Sequence, residues 1–306
     1  MKKGKIVFTV VIIFFILLTA AGIYSYITYE QGRKEGEKDV RPSDQEQLPF
    51  QEKEVEFGEI KVLLIGNDAR KSGHGRSDTL MIAYYNQHTE QVKIASIMRD
   101  SYLNVAGHGM QKINAAFAFG GPELLRQTIQ NNFGIDVNYY AIIDFRGFPK
   151  LVDLIAPDGI EVDVKEKMSS GIGMTLYPGK QVLHGKELLG YVRFRHDAMS
   201  DFGRVNRQQE VLSKLKDQAM QLHSMVKLPK IMGLAQSYVE TNLDTATMMS
   251  IGKGLLTNSK KLETLRIPVD GSFTNDRTEQ GAVLRIDLDK NSEALQAFFK
   301  EGTKEN

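Results

Sequence analysis

From Ile6 to Tyr29 the chain carries no charged side chain, and Ile, Val, Phe and Leu dominate the run. About 20 such residues are what a helix needs to span the hydrocarbon core of a bilayer, where only a helix satisfies its own backbone polar groups. Lys2, Lys3 and Lys5 precede the run, and the positive-inside bias places that end in the cytoplasm. Tyr24, Tyr26 and Tyr29 fall where the outer interface is expected. A cleaved signal peptide is the competing reading. The apolar core is long for one, and Thr19-Ala20-Ala21-Gly22 lies inside the run rather than after it. The sequence therefore predicts a cytoplasmic tail over 1–5 and an uncleaved, single-pass signal anchor over 6–29. Everything beyond it then lies on the outer side of the cell membrane.

Residues 30–59 are rich in Glu, Gln, Lys and Asp, with Pro42 and Pro49, and read as a polar stalk in which isolated Leu48 and Phe50 are free to pack on the domain edge. A single domain is expected over 60–306. Lys61–Ile65, Thr79–Tyr85, Gln91–Ile97, Tyr139–Ile143, Gly159–Val164, Lys261–Pro268 and Ala282–Leu288 are strand candidates, with a hairpin at Asn86–Glu90. Pro122 opens a helix that Gly134 ends, and Gly120-Gly121 marks a tight turn before it. Further helices are expected at Arg146–Leu154, Gly185–Tyr191, Arg204–Leu222, Leu228–Tyr238, Thr245–Leu256 and Asn291–Lys300. Strands interspersed with helices predict a mixed central sheet covered on both faces, a three-layer α/β/α sandwich preceded by one N-terminal transmembrane helix.

Arginines beside acidic residues at the ends of apolar runs carry the functional signal. A guanidinium is costly to desolvate unless an anion meets it, and bidentate phosphate binding is its common use. Arg76 and Asp78 open one strand, and Arg99-Asp100 closes another. Arg193 and Arg195 flank Phe194; in an extended segment both face one anion, and in a continuing helix they diverge. Asp68 follows the first strand as either a turn former or, with Asp78, a ligand for Mg²⁺ completed by substrate phosphate. Asp78 also reads as an ion-pair partner of Arg76 or Arg70, and Arg99 as one of Asp100. Asp201 is a helix-cap candidate ahead of Arg204 and Gln208, which lie one turn apart. The near-neutral net charge of +1 gives no support for a nucleic-acid partner. With no cysteine and no ligand-spaced histidine pair, disulfides and a zinc site are not expected.

The order of these motifs resembles the LytR–CpsA–Psr family: Leu63-Leu64-Ile65-Gly66-Asn67-Asp68-Ala69-Arg70, Arg76-Ser77-Asp78-Thr79-Leu80, Ser96-Ile97-Met98-Arg99-Asp100, Lys112-Ile113-Asn114 with Ala118-Phe119-Gly120-Gly121, Tyr191-Val192-Arg193-Phe194-Arg195, and Asp201-Phe202-Gly203-Arg204 with Arg207-Gln208. The resemblance implies a phosphotransferase of the Gram-positive cell envelope, similar to the polyisoprenyl-teichoic acid–peptidoglycan teichoic acid transferases. Its donor would be a glycopolymer such as wall teichoic acid or capsule on undecaprenyl pyrophosphate. Its acceptor would be the 6-hydroxyl of N-acetylmuramic acid in peptidoglycan, with pyrophosphatase activity when water replaces that acceptor. By position, Asp68 and Asp78 would hold Mg²⁺. Arg76, Arg99, Arg193 and Arg195 would grip the pyrophosphate, with Asp201, Arg204 and Gln208 completing its surroundings. The lipid tail would enter an apolar tunnel between sheet and helices. Two positions depart from the family pattern: Met98 stands where proline is frequent, and Ala115 where histidine or another polar residue is. The rival reading is a non-catalytic, regulatory binder of an anionic lipid-linked polymer. Paired aspartates gain such a binder nothing unless a metal sits between them.

Overall fold

The computed structural model describes residues 2–38, 48–56, 58–67, 77–197, 199–220, 222–257 and 260–300, excluding the side chains of 2–18, 222–225 and 256–257. Helix α1 (Lys2–Glu37) leads to strands β1 (Glu59–Asn67), β2 (Thr79–Asn86), β3 (Val92–Ile97), β4 (Tyr102–Val105) and β5 (Gly109–Lys112). Then come α2 (Ile113–Phe133), β6 (Tyr139–Asp144), α3 (Phe148–Ile155), β7 (Ile160–Val164), β8 (Gly179–Leu183), α4 (Gly185–Arg193) and α5 (Ser200–Ala219). The chain closes with α6 (Leu222–Gln236), β9 (Val239–Thr241), α7 (Thr245–Thr257), β10 (Glu263–Ile267), β11 (Phe273–Thr278), β12 (Gly281–Ile286) and α8 (Leu288–Lys300).

Six strands form the central sheet in the order β10-β3-β2-β1-β6-β9. The β1–β6 and β10–β3 pairs are parallel, while β1–β2, β2–β3 and β6–β9 are antiparallel. The sheet is therefore mixed, as the sequence predicts. The strands are near-continuously apolar because both faces are covered. On β2, Leu80, Ile82 and Tyr84 pack with Leu125, Ile129 and Phe133 of α2 and Leu295 and Phe299 of α8. The alternate residues Met81, Ala83 and Tyr85 face the opposite cluster, with Leu212 of α5 and Ile251 and Leu255 of α7. A satellite core gathers the β7–β8 hairpin, α3 and α4 around Val162, Leu183 and Leu188.

Several elements differ from the sequence reading. The run expected as a polar stalk from residue 30 instead continues α1 to Glu37, and that helix packs on α6 so closely that a Cβ on Gly233 would lie 2.0 Å from the Tyr29 carbonyl. Leu48 and Phe50 do pack against the main core. Helix α2 begins nine residues before Pro122, and the Gly120-Gly121 pair breaks it at φ −150° and +62°. The sequence reading found only the half after Pro122; in the earlier half Ile113, Ala116 and Phe117 form a single-turn apolar stripe, too short to stand out in the sequence, and their burial holds it. Among the described residues no helix is long and apolar enough to cross a membrane; the side chains of the first 18 residues, most of the expected anchor, lie outside them.

Leu125 is fully buried between α2 and the sheet. Leu125→Ala should cost about 2–5 kcal/mol of unfolding free energy, as large-to-small core substitutions do. Tyr177→Ala, at a side chain 64% exposed, should stay within about 0.5 kcal/mol. Urea unfolding in detergent, followed by circular dichroism, compares the two; equal midpoints would contradict the assigned core.

Candidate anion-binding site

One edge of the sheet collects the C-terminal ends of β1, β3 and β10 and the start of β2. The Asp78 N–H donates to the Gly66 carbonyl at 3.1 Å, which fixes the carboxylate beside the end of β1. Past β3 the chain turns back, with the Ser101 N–H donating to the Met98 carbonyl at 3.0 Å. Met98 is buried with Val205 and Leu284, so it forms the apolar floor from which Arg99 reaches out.

Arg99 is the hub. Its Nη1 lies 2.5 Å from Asp78 Oδ1, and its Nε lies 2.9 Å from Asp201 Oδ2 and 3.4 Å from Asp100 Oδ2. Lys112 holds the other oxygen of Asp100 at 2.7 Å. Arg195 Nη2 also reaches Asp78 Oδ1, at 3.2 Å, and Arg204 Nη2 reaches Asp201 Oδ2 at 3.1 Å. Asp201 is therefore an ion-pair anchor rather than the expected helix cap. The cap position falls on Met199, without a side-chain hydrogen bond, and Ser200 turns the chain at φ +48°.

Arg193 and Arg195 do not share one strand face. Helix α4 runs through Arg193 and stops at Phe194, whose backbone is extended and whose side chain is buried. Arg195 consequently projects to Asp78, while the Arg193 guanidinium lies 5.8 Å from the centre of the Phe145 ring. Phe145 lines an apolar cavity of about 120 Å³ between the sheet and α4–α5, together with Leu64, Met81, Phe148, Leu189 and Val192. Gln208 lines it too, and donates to Thr79 Oγ1 at 3.2 Å and the Val192 carbonyl at 3.4 Å. Gly66 is required at the cavity wall: a Cβ there would lie 2.7 Å from Phe145 and 2.9 Å from Thr79. Asp68 and Arg76 lie outside the described residues.

Among the described residues the charges do not balance. At the centre, Arg99, Arg195 and Arg204 face Asp78 and Asp201. Burial pushes the Asp78 carboxyl up, but Arg195 and Arg99 outweigh it and hold the group below the usual carboxylate range. Burial lowers Arg99, yet Asp201, Asp100 and Asp78 outweigh that and raise it. Arg204 goes the other way. Burial, reinforced by Arg99 and Arg195, pushes it down to about 10 despite Asp201, and its buried Nε has no hydrogen-bond partner. A buried guanidinium with an unused donor beside two like charges favours an added anion.

The sequence marks Arg207 in the last motif without giving it a role, and gives no sign of Gln209; both support this array from behind. Arg207 is buried and donates from Nε to the Tyr191 carbonyl at 3.0 Å and from Nη2 to the Phe194 carbonyl at 2.5 Å; its Nη1 pairs with Asp197. Gln209 donates to Ser96 Oγ at 3.1 Å and to the Leu265 carbonyl at 2.9 Å, tying α5 to β3 and β10. Arg207 lies within the motif that starts at Asp201, and Gln209 directly follows it. Among the described residues no three His, Cys, Asp or Glu side chains group as a metal site.

Fold and site together define a mixed α/β protein with a cationic sheet edge beside an apolar cavity. The chain belongs to the LytR_cpsA_psr family, whose sequence profile matches residues 23–297. It is 40% identical over 246 residues to a Staphylococcus aureus protein named regulatory protein MsrR, covering 80% of this chain and 75% of that one. It is 32% identical over 279 residues to a Bacillus anthracis polyisoprenyl-teichoic acid–peptidoglycan teichoic acid transferase, TagU, covering 90% and 91%. A solved structure of the family protein YwtF (TagT) with bound octaprenyl pyrophosphate lipid superposes with a TM-score of 0.59 at 25% identity, covering 83% of this chain and 96% of that one.

Because Asp78 has a lowered pKa in the folded protein, its ion pairs stabilise the fold above the unfolded carboxylate value of about 3.9. That stability is lost as pH falls through the lower folded value. Asp78→Asn should lower the melting temperature near neutrality and flatten its fall on acidification below about pH 4. An unchanged acid limb in the variant would show that Asp78 is not held by these arginines.

Proposed function

We propose that this chain is a membrane-anchored phosphotransferase that moves an anionic glycopolymer, of the wall teichoic acid or capsule type, from undecaprenyl pyrophosphate to the 6-hydroxyl of N-acetylmuramic acid in peptidoglycan. The observation that carries the reading is the shared wall at Gln208. Gln208 and its partner Thr79 line the apolar cavity, Asp78 next to Thr79 carries Arg99 and Arg195, and Arg204 lies one helical turn before Gln208. An anion alone has no use for the cavity, and a lipid alone none for the guanidiniums. A polyprenyl pyrophosphate uses both, and a family member has been solved with such a lipid. The anchor over 6–29 places the site on the outer side of the membrane, where that donor and its acceptor meet.

Arg99, Arg195 and Arg204 bind the pyrophosphate oxygens, and Arg193 and Arg76 are the further proposed pyrophosphate ligands. The acceptor hydroxyl attacks the phosphorus that carries the polymer. A new P–O bond forms, the P–O bond to the lipid phosphate breaks, and the hydroxyl proton leaves to solvent or a site base. Charge builds on the departing lipid phosphate, so guanidiniums fixed before reaction stabilise the transition state without reorganising. Asp201 sits between Arg99 and Arg204 and holds both in place.

Asp68 and Asp78 are the proposed Mg²⁺ ligands. Both guanidinium contacts to Asp78 fall on Oδ1, so among the described residues Oδ2 is left for a cation. One or two carboxylates plus substrate phosphate is the usual Mg²⁺ donor set. The metal would supply further neutralisation of pyrophosphate charge. When water takes the acceptor's place, the same geometry gives pyrophosphate hydrolysis.

A purified full-length chain, given lipid-linked polymer and peptidoglycan, should transfer polymer in a Mg²⁺-dependent reaction. Arg99→Ala and Arg195→Ala should each weaken lipid-pyrophosphate affinity about tenfold or more, since a charge-assisted contact contributes roughly 1.5–3 kcal/mol. Asp78→Ala should lose activity through the metal and shift the Mg²⁺ requirement upward. The regulatory reading, favoured by the name of the staphylococcal relative, expects tight lipid binding with no transfer. Unchanged affinity in the folded arginine variants would remove both readings.

A further inference from the structure

Helix α6 crosses α1 at backbone contact. A Cβ on Gly32 would lie 2.1 Å from the Lys230 carbonyl, one on Gly233 would lie 2.0 Å from the Tyr29 carbonyl, and one on Gly36 would lie 2.4 Å from Ser237. Ser237 Oγ donates to the Arg33 carbonyl at 3.2 Å, Lys230 pairs with Glu35 at 2.9 Å, and the Tyr29 hydroxyl donates to Gln236. The pairs Tyr29–Gly233 and Gly36–Ser237 advance together along both helices, so the two run parallel. Their N-terminal ends point the same way. At 1.5 Å per residue, carrying the register back brings the first turn of α6 level with about residues 18–24 of α1. That level belongs to the outer half of the uncharged run Ile6–Tyr29.

Several described side chains near this level are apolar and open. Ile23, Tyr24, Tyr26 and Ile27 of α1 are exposed, and so is Val226 of α6, at 51%. Lys227 follows Val226 and supplies a cation at headgroup level. An aqueous helix pair has no reason to leave this surface bare, whereas an interfacial one does.

We propose that the N-terminal turns of α6 insert into the phospholipid interface beside α1, so that the domain touches the bilayer at two helices rather than hanging from one. The inference rests on the membrane anchor of the proposed function and adds the second contact. The far end of α6 gives it consequence. Tyr238, just past α6, accepts from the Asp144 N–H at 2.9 Å through its carbonyl, and its ring packs on Gly147, between cavity residues Phe145 and Phe148. A docked α6 therefore fixes the height and tilt of the cavity over the membrane from which a lipid tail must rise.

The chain has no cysteine, so single variants Tyr26→Cys, Val226→Cys and Tyr177→Cys each carry one fluorophore. The full chain is reconstituted in phosphatidylglycerol–phosphatidylethanolamine vesicles with or without brominated acyl chains. At an interfacial depth of roughly 5–10 Å, brominated lipid should quench the labels at 26 and 226 about twofold and leave the one at 177 unchanged. Quenching at 26 without quenching at 226 overturns the second contact while the anchor stands. Quenching at neither overturns both. Quenching at all three, including 177 on the β7–β8 side, means non-specific adsorption and also overturns the proposal.

Discussion

Everything at the functional edge depends on Arg99 being paid in carboxylates. It lies two residues past β3 at the sheet edge, and its guanidinium joins Asp78 before β2, Asp100 beside it in the same turn and Asp201 on the first turn of α5. Half-buried charges of this kind are tolerated only when partners offset the lost hydration. Removing the guanidinium would leave three carboxylates from three elements without their common cation. The same network is short of negative charge, because Arg195 and Arg204 use the same two aspartates. Under the proposed function, fold and ligand would compete for these groups, a phosphate taking over guanidinium contacts that the carboxylates now hold.

Helix α5 serves the arrangement with every face. Asp201, Arg204 and Gln208 recur at helical spacing toward the charged edge and cavity, while Gly203, Arg207 and Glu210 face the opposite side. Arg207 there ties down the carbonyls of Tyr191 and Phe194, which fixes the segment that carries Arg195. A close approach makes this fit: a Cβ on Gly203 would lie 2.5 Å from Asp197, the partner of Arg207. Gln209 closes the circuit to β3 and β10. The cationic edge is thus positioned from behind by groups that touch no ligand themselves.

The α1–α6 crossing replaces a flexible tether with a stiff one. Two helices whose backbones meet at Gly32 and Gly233 cannot slide past one another without a clash. Any orientation imposed on α1 by a membrane is passed to α6 and on to the cavity wall. For an enzyme acting on a lipid-linked donor, such stiffness substitutes for part of the entropy lost in bringing site and substrate together.

Much of this was legible in the sequence. Apolar runs flanked by turn formers marked the central strands, because a sheet covered on both faces requires continuous apolar residues. The arginine–aspartate motifs marked the sheet edge, since guanidiniums at strand ends need an anionic partner there, though whether carboxylate or ligand the motif alone left open. Long-range contacts decided the rest. The first half of α2 and the β4–β5 and β11–β12 hairpins have weak patterns of their own and form because neighbours bury or pair them. Whether Arg193 and Arg195 share a face depended on where α4 stops. The polar residues after Tyr29 read as a stalk because nothing local reveals that Gly32 and Gly36 meet a helix some 200 residues later. The sequence by itself determined which residues are available for the chemistry and which runs must be buried. Tertiary structure alone decided which guanidiniums share a carboxylate and that the cationic edge opens onto an apolar cavity, because those depend on distances between segments far apart in the chain.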